Sequence, residues 1–371
     1  MRCLSLLFLI FFFSSFKTQI NSSIQHDGVT RDFVYYTPSN WNSSDQLPLL
    51  VVMHGLTQTG NGIMNITGFN DIAEDNNFIV CYPDGINNSF NANMNVTVST
   101  ADDFGFIEAL YTYFETNFNS DPYKRYLCGF STGGFMSHKM ACESSLCFAA
   151  IATVSGNMSD TVYNNCSPSH ATSVLHIHGT SDPVVSYNGG ASSGVSVDAS
   201  IEKWRSHLGC NLTPQITPMP DNNLFDFSFP ERHIYSSCSN SSLELIKING
   251  GGHQWPGIPT LIGGLGNINM DFYSPEVIWE FLNGKSCPES THVSESETLE
   301  INVFPNPTKN SISFRLGDYS EPLNVKVFDL NGRLLKSVKD SSISLESFEK
   351  GIYLISLSYS NKTKMVKVVK K

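Results

Sequence analysis

The sequence predicts an α/β fold with a mostly parallel sheet, followed by a small antiparallel β-sandwich. Between residues 24 and 287, short apolar runs alternate with stretches of helical length. Strands that alternate with helices indicate a parallel sheet with crossover connections. Beyond residue 298 the pattern changes to short alternating strands separated by turn residues, which is typical of an antiparallel sandwich.

The early strands are predicted by near-continuous apolar runs. Leu47–Met53 ends at His54-Gly55, and Phe78–Tyr82 is closed by a Pro-Asp-Gly turn. Apolar runs of this length are expected for strands that are buried on both faces of a sheet. Further core strands are expected at Tyr126–Cys128, Phe148–Val154, Ser173–Ile177 and Leu243–Ile248.

Two of the intervening stretches predict helices. Asp102 and Asp103 precede the apolar-periodic residues Phe104–Phe118, so one of the two aspartates is expected to cap a helix there. A Gly-rich turn follows Tyr126–Cys128 and leads into a second helical stretch, Phe135–Cys142.

The C-terminal part has a different pattern. Residues 288–298 are polar and acidic, and they predict a linker because they offer little apolar surface to bury. Residues 299–371 then form a separate predicted domain. Its strands are expected at Ile301–Phe304, Ser311–Leu316, Asn324–Phe328, Ile352–Ser358 and Lys364–Val369.

The N-terminus predicts a signal peptide over residues 1–20. Arg2 precedes an apolar stretch at residues 4–13, and small and polar residues follow it. The apolar stretch falls short of the roughly 20 residues that span a bilayer, so a cleaved signal is favoured over a membrane anchor. No later stretch is long and apolar enough to span a membrane. We therefore expect a secreted protein without a membrane span.

The formal net charge of −11 is unevenly distributed. Residues 24–288 carry 9 Lys/Arg against 24 Asp/Glu, whereas residues 299–371 carry 12 against 7. An acidic body repels phosphate backbones, so nucleic-acid binding is a poor hypothesis. The difference in charge supports two separate modules.

The chain has nine cysteines, and in an exported protein cysteines commonly form disulfides. With Cys3 inside the predicted signal peptide, an even set remains, which predicts disulfides whose pairing does not follow from spacing alone. Cys81 and Cys128 lie in apolar strand-like runs, so buried thiols are an alternative for these two residues. No Cys-x-x-Cys occurs with a matching His or Cys pair, so a structural zinc site is not expected.

The pentapeptide Gly129–Gly133 fits the pattern Gly-x-Ser-x-Gly, with Ser131 at its centre. It lies between a predicted strand and a predicted helix, where a nucleophilic serine is raised on a tight turn and needs small neighbours. The backbone N–H of Thr132 then points at the developing oxyanion, close to a helix N-terminus. This context makes Ser131 the candidate nucleophile.

A serine nucleophile needs a base, and the base needs an orienting acid. In α/β-hydrolases the three residues follow in the order Ser, Asp, His. Asp182 lies on the loop after the strand Ser173–Ile177, and His253 lies on a Gly-rich loop after the next strand. We expect both residues to converge on Ser131.

Other residues compete for these roles. Asp84 is the chief rival acid, and a cap of the turn before Pro183 is the alternative role of Asp182. His178 ends a strand before Gly179 and is expected to be a packed histidine. Three further histidines lie in helix-like or polar stretches and are expected to be solvated: His138, His207 and His233.

The second oxyanion donor is expected on the loop that follows the first core strand. That loop is His54–Thr57, which makes the N–H of Leu56 the candidate donor, with an ordinary strand-end turn as the alternative. His54 and Trp255 are the candidate substrate-binding residues, although a structural role for His54 and core packing for Trp255 are the alternatives. The resulting mechanism is an acyl-enzyme pathway that needs no metal or organic cofactor.

These motifs together resemble the polyhydroxybutyrate depolymerase/feruloyl esterase family of α/β-hydrolases. The resemblance covers roughly residues 32–287 and rests on six ordered segments: 47–60, 79–85, 102–110, 128–143, 176–185 and 250–257. It implies an α/β-hydrolase fold over residues 24–287, a triad of Ser131, Asp182 and His253, and oxyanion donors at Leu56 and Thr132. It also implies a disulfide between Cys210 and Cys238.

The C-terminal segments 301–310, 327–335 and 351–357 resemble the type IX secretion C-terminal sorting domain. The resemblance implies export across an outer membrane, with the type IX machinery as a partner of residues 299–371. Extracellular polyester depolymerases commonly carry a polymer-binding module at this position. In this chain that position holds the segments that resemble a sorting domain. We therefore expect a soluble or short-chain ester as the substrate, more than a crystalline polyester.

The leading hypothesis is a secreted serine carboxylic-ester hydrolase of the polyhydroxybutyrate depolymerase type. The alternative is a feruloyl or acetyl xylan esterase that acts on polysaccharide esters. An acyltransferase and a surface adhesin without catalysis are the remaining hypotheses. The complete set of Ser131, Asp182 and His253 argues against the adhesin.

Overall fold

The computed structural model describes residues 19–95, 99–259, 264–288, 301–316, 323–329, 333–359 and 362–371. Most of the predicted signal peptide and of the predicted linker lies outside these residues. The chain divides into two compact units, Met1–Pro288 and Glu289–Lys371. Within the described ranges, no helix has the length and apolar character needed to cross a membrane.

The first unit is built on a ten-stranded sheet with the order β1-β2-β4-β3-β5-β6-β7-β10-β9-β8. The strands are β1 (Ile20–His26), β2 (Val29–Tyr36), β3 (Leu49–Met53), β4 (Ile79–Pro83), β5 (Arg125–Phe130), β6 (Ala150–Val154), β7 (Ser173–Gly179), β8 (Gln215–Pro218), β9 (Phe229–Tyr235) and β10 (Leu243–Asn249). The six central strands from β4 to β10 are parallel, and antiparallel strands flank them on both sides.

Seven α-helices are described in this unit: α1 (Gly60–Thr67), α2 (Phe69–Asn76), α3 (Asp103–Phe118), α4 (Thr132–Glu143), α5 (Asp160–Asn165), α6 (Val197–Leu208) and α7 (Ser274–Leu282). They pack on both faces of the sheet. One apolar cluster includes side chains of α3, α4 and α6, and the other includes side chains of α1, α2 and α7. Alternate residues of β3 enter different clusters, because successive side chains of a strand point to opposite faces.

The predicted α/β class with a mostly parallel sheet is confirmed, and the predicted core strands are present. The prediction that Asp102 or Asp103 caps a helix is confirmed for Asp102, whose side chain accepts a hydrogen bond from Gly105 N at the start of α3. The antiparallel strands β1, β2, β8 and β9 were not among the predicted strands. Their mixed polar and apolar residues lack the continuous apolar signal of the central strands.

Three disulfides cross-link the described part of the first unit. They join Cys142 to Cys166, Cys147 to Cys287, and Cys210 to Cys238. The third is the pair that the family resemblance implied. Cys81 and Cys128 are free and buried, in agreement with the buried-thiol alternative, and burial raises the pKa of both thiols.

The second unit consists of two antiparallel sheets with the orders β11-β12-β15 and β14-β13-β16-β17. The strands are β11 (Ile301–Phe304), β12 (Ser311–Leu316), β13 (Leu323–Phe328), β14 (Leu334–Asp340), β15 (Ser342–Ser344), β16 (Gly351–Tyr359) and β17 (Lys362–Lys370). Side chains of both sheets share one apolar cluster, in which Ile312 and Ile355 are fully buried. The predicted antiparallel sandwich is therefore confirmed.

Candidate active site

Ser131 lies on the tight turn between β5 and α4. Its backbone has φ 52° and ψ −118°, a positive φ that a residue with a side chain rarely adopts. The turn is fixed by two backbone hydrogen bonds, from Ser131 N to Val154 O (2.9 Å) and from Phe135 N to Ser131 O (3.0 Å). A strained serine at the start of a helix is the geometry expected of a nucleophile elbow.

The glycines of this turn are required by close backbone packing. A Cβ atom on Gly129 would lie 2.1 Å from Gly133 O, and one on Gly133 would lie 2.3 Å from Met53 O. These distances are too short for any side chain. The predicted reason for the Gly-x-Ser-x-Gly spacing therefore applies at both glycines.

The loop His54–Thr57 lies directly beside this turn. A Cβ atom on Gly55 would be only 3.2 Å from Ser131 Cβ. The loop is held by hydrogen bonds from Gly55 N to Gln58 Oε1 (2.9 Å) and from Thr57 N to Asn88 O (2.9 Å). These bonds engage the N–H groups on either side of Leu56, and Leu56 itself is 42% exposed. The position suits the predicted oxyanion role of the Leu56 N–H.

Thr132 begins α4, and its side chain is buried beside the same loop. Its hydroxyl lies 3.5 Å from His54 O. Its backbone N–H belongs to the first turn of α4, where helix N–H groups have no partner inside the helix. The elements that carry the two predicted oxyanion donors, Leu56 and Thr132, are therefore neighbours.

The predicted acid and base are in direct contact. His253 Nδ1 lies 2.8 Å from Asp182 Oδ2, and both side chains are buried. Since an ionised carboxylate only accepts, Nδ1–H is the donor, and His253 Nε2 is left as an acceptor. The imidazole ring packs against the ring of Phe130, the residue before Ser131, with 4.8 Å between centroids. The structure thus brings the histidine loop to the nucleophile turn.

Asp182 is held as an anion by several donors. Its Oδ1 accepts hydrogen bonds from Val184 N (2.9 Å) and Val185 N (2.8 Å). Burial by itself would raise the pKa of Asp182. The hydrogen bond from His253, the electrostatic attraction of His253 and His178 and the Val184 N–H outweigh burial, so the pKa of Asp182 is lowered. Asp182 therefore orients His253 as a carboxylate.

Asp84, the rival acid, has a different task. Its Oδ1 accepts a hydrogen bond from Gly60 N (2.6 Å) at the start of α1, so it anchors a helix. His178, the rival base, is buried and packed as expected. The expectation that His138 is solvated is wrong, because His138 is fully buried, whereas His207 is exposed and His233 is half-buried.

The two candidate substrate-binding residues are both buried. Trp255 is 1% exposed and lies against the ring of Phe130, with 5.8 Å between centroids. His54 is fully buried, and its ring nitrogens face Gly55 O (2.7 Å) and Gly85 N (3.0 Å). Burial lowers the pKa of His54, so the ring is neutral. The structure favours the alternatives of core packing for Trp255 and loop support for His54.

No group of three or more His, Cys, Asp or Glu side chains in the described ranges has an arrangement that could hold a metal ion. A buried polar cluster beside Asp182 could not be read from the motifs; it is formed by His138, Thr153, His176 and His178. Two histidines at alternate positions of an apolar strand were the available signal, since both then point to the same face.

The first unit has an α/β-hydrolase fold. Residues 28–188 match the family model described as "Putative esterase", and residues 302–371 match the model of the "Secretion system C-terminal sorting domain". The chain therefore carries an esterase-family domain and a secretion-system sorting domain. Both family resemblances predicted from the sequence are confirmed.

Curated relatives are similar to this chain in sequence, and a solved structure is similar to it in fold. The chain is 26% identical over 60% of its length to feruloyl esterase B of Piromyces equi, and 26% identical over 52% of its length to the bifunctional acetylxylan esterase/xylanase XynS20E of Neocallimastix patriciarum. It spans only 42% and 26% of the length of these two relatives. The acetyl xylan esterase from Aspergillus awamori has the same fold, with a TM-score of 0.50 and 16% identity over 71% of this chain and 98% of that one.

Proposed function

We propose that this protein is a secreted serine carboxylic-ester hydrolase with the triad Ser131, His253 and Asp182. The observation that carries the proposal is the 2.8 Å contact between His253 Nδ1 and Asp182 Oδ2, on a loop that packs against the strained turn of Ser131. This contact fixes the tautomer in which Nε2 is free to accept the serine proton.

The reaction proceeds in two halves. Ser131 Oγ attacks the ester carbonyl while His253 Nε2 takes its proton, and the N–H groups of Leu56 and Thr132 stabilise the oxyanion. The bond to the alcohol breaks as His253 returns the proton to the leaving oxygen. Water then attacks the acyl-enzyme with His253 again as the base, which releases the acid and regenerates Ser131.

The substrate class that we favour is a feruloyl or acetyl ester of a plant polysaccharide. The names of the relatives, feruloyl esterase B and acetylxylan esterase/xylanase, support this choice over a hydroxybutyrate ester. The sorting domain supports delivery by the type IX machinery to the cell surface or the medium, where such polymers are met.

A substrate panel on one preparation tests both levels of the proposal. We expect hydrolysis of a short p-nitrophenyl ester, and faster turnover of methyl ferulate or acetylated xylan than of hydroxybutyrate oligomers. Ser131→Ala and His253→Ala should each lower kcat by at least about a thousandfold. Wild-type-like activity in either variant would contradict the triad, and a preference for hydroxybutyrate oligomers would contradict the substrate class alone.

A further inference from the structure

A chain of buried hydrogen-bonding side chains leads from the interior of the sheet to Asp182. Thr153 lies opposite His176 in the register of β6 and β7, and their side chains are 2.8 Å apart (Oγ1 to Nδ1). His176 Nε2 lies 3.2 Å from His178 Nδ1. His178 Nε2 lies 2.8 Å from Val185 O and 3.4 Å from Asp182 Oδ2. Thr153, His176 and His178 are all buried, with at most 1% of each residue exposed.

The contacts fix every proton in this chain. Val185 O only accepts, so His178 carries its proton on Nε2, and Nδ1 is an acceptor. His176 must then donate from Nε2, which leaves its own Nδ1 as an acceptor for the hydroxyl of Thr153. Burial lowers the pKa of His176 and lowers that of His178 to about 4, so both rings are neutral at pH 7.

The groups around His178 leave one orientation for its ring. The ring of His176 lies on one side and is nearly parallel to that of His178, at 3° between the ring planes, and His138 stacks on His176 from α4. The ring of Tyr187 meets His178 edge-on at 5.9 Å. Asp182 and His253 are the charged or titratable groups beyond its Nε2. Val185 links His178 to Asp182, because its carbonyl O accepts a hydrogen bond from His178 while its N–H donates one to Asp182.

We propose that His178 is a positioning residue for Asp182, and that Thr153 and His176 set the tautomer in which it acts. His178 donates its Nε2–H to Val185 O and so fixes the loop whose Val185 N–H binds Asp182 Oδ1, and its ring nitrogen lies 3.4 Å from the carboxylate oxygen that binds His253. The carboxylate is thereby held in the orientation that His253 requires. This inference rests on the proposed function, since it assigns a role relative to the triad.

The test uses variants that remove or keep the N–H of His178, or the Thr153 hydroxyl that sets its tautomer. His178→Phe keeps the ring and removes the donor, whereas His178→Gln keeps an N–H near the Nε2 position. Thr153→Val removes the hydroxyl that sets the tautomer, and Thr153→Ser restores it. His207→Phe, at an exposed position of α6, is the control for a histidine substitution as such.

We expect His178→Phe to lower kcat by about 10- to 100-fold with KM changed less than about twofold, because a displaced acid misaligns the base. His178→Gln should recover most of the lost kcat. The kcat of Thr153→Val should lie between those of the wild type and His178→Phe. In proton NMR, the low-field resonance of the His253–Asp182 hydrogen bond should weaken or shift in His178→Phe and return in His178→Gln.

Three results would overturn the inference. They are wild-type kcat and an unchanged low-field resonance in His178→Phe, a loss of kcat that His178→Gln does not recover, and a wild-type Thr153→Val if His178→Phe does not fold. A wild type that hydrolyses no ester contradicts the proposed function instead. The NMR comparison still decides the role of His178 in that case.

Discussion

Lowering the pH from 7 to 5 should destabilise the first unit through His138. This side chain is fully buried in α4, and its Nδ1 accepts a hydrogen bond from Trp204 Nε1 (3.1 Å). Protonation would add a hydrogen to His138 Nδ1, which would then face the N–H of Trp204 as a second donor. Burial lowers the pKa of His138 from 6.5 to about 3, so the folded protein keeps the ring neutral.

The size of the effect follows from linkage. Because the pKa in the folded state lies below that of the unfolded chain, the unfolded chain binds the proton first as the pH falls. Stability is therefore lost from about pH 6.5 downwards, and the loss is complete only near pH 3. Between pH 7 and pH 5 the expected loss from His138 alone is about 2 kcal/mol in the free energy of unfolding.

The assay is urea unfolding followed by tryptophan fluorescence. All four tryptophans lie in the first unit, so the signal reports on that unit alone. The matched variant is His138→Asn, whose amide oxygen can accept from Trp204 but does not titrate. Wild type should lose about 2 kcal/mol more than His138→Asn between pH 7 and pH 5. An equal loss in both proteins would refute the reasoning.

Two further substitutions test the packing of the fold. Gly133→Ala should cost at least about 2 kcal/mol and remove activity, because the new methyl group would lie 2.3 Å from Met53 O. Gly62→Ala, whose methyl group would meet only the Thr59 hydroxyl at 3.3 Å, is the matched control, and equal melting temperatures would contradict the prediction. Replacing both Cys210 and Cys238 by serine should lower the free energy of unfolding by about 3 kcal/mol, because the disulfide closes a loop with a sequence separation of 28. Unchanged urea midpoints would argue against that contribution.

The central part of the fold could be predicted from the sequence because the apolar signal there is continuous. Strands such as Leu49–Met53 are buried on both faces, so every residue contributes to the pattern. The edge strands are different. β8 is exposed throughout, and its pairing with β9 is decided by tertiary contacts that no local pattern records.

The candidate site divides in the same way. Ser131, Asp182 and His253 could be predicted as a triad because the turns that carry them have local signatures in a known order. The positions of Trp255 and His138 depend on which elements pack against them. Trp255 lies under Phe130, and His138 lies against Trp204, a residue 66 positions away. Spacing along the chain does not contain such information.

The most direct test of the proposed triad is covalent labelling of the nucleophile. The purified protein would be treated with an alkyl fluorophosphonate, which is captured by activated serines, and the site of modification would be mapped by peptide mass spectrometry. We predict a single adduct on Ser131 that is absent in Ser131→Ala and forms much more slowly in His253→Ala. Rapid labelling at another residue, or labelling of Ser131 that does not depend on His253, would contradict the account.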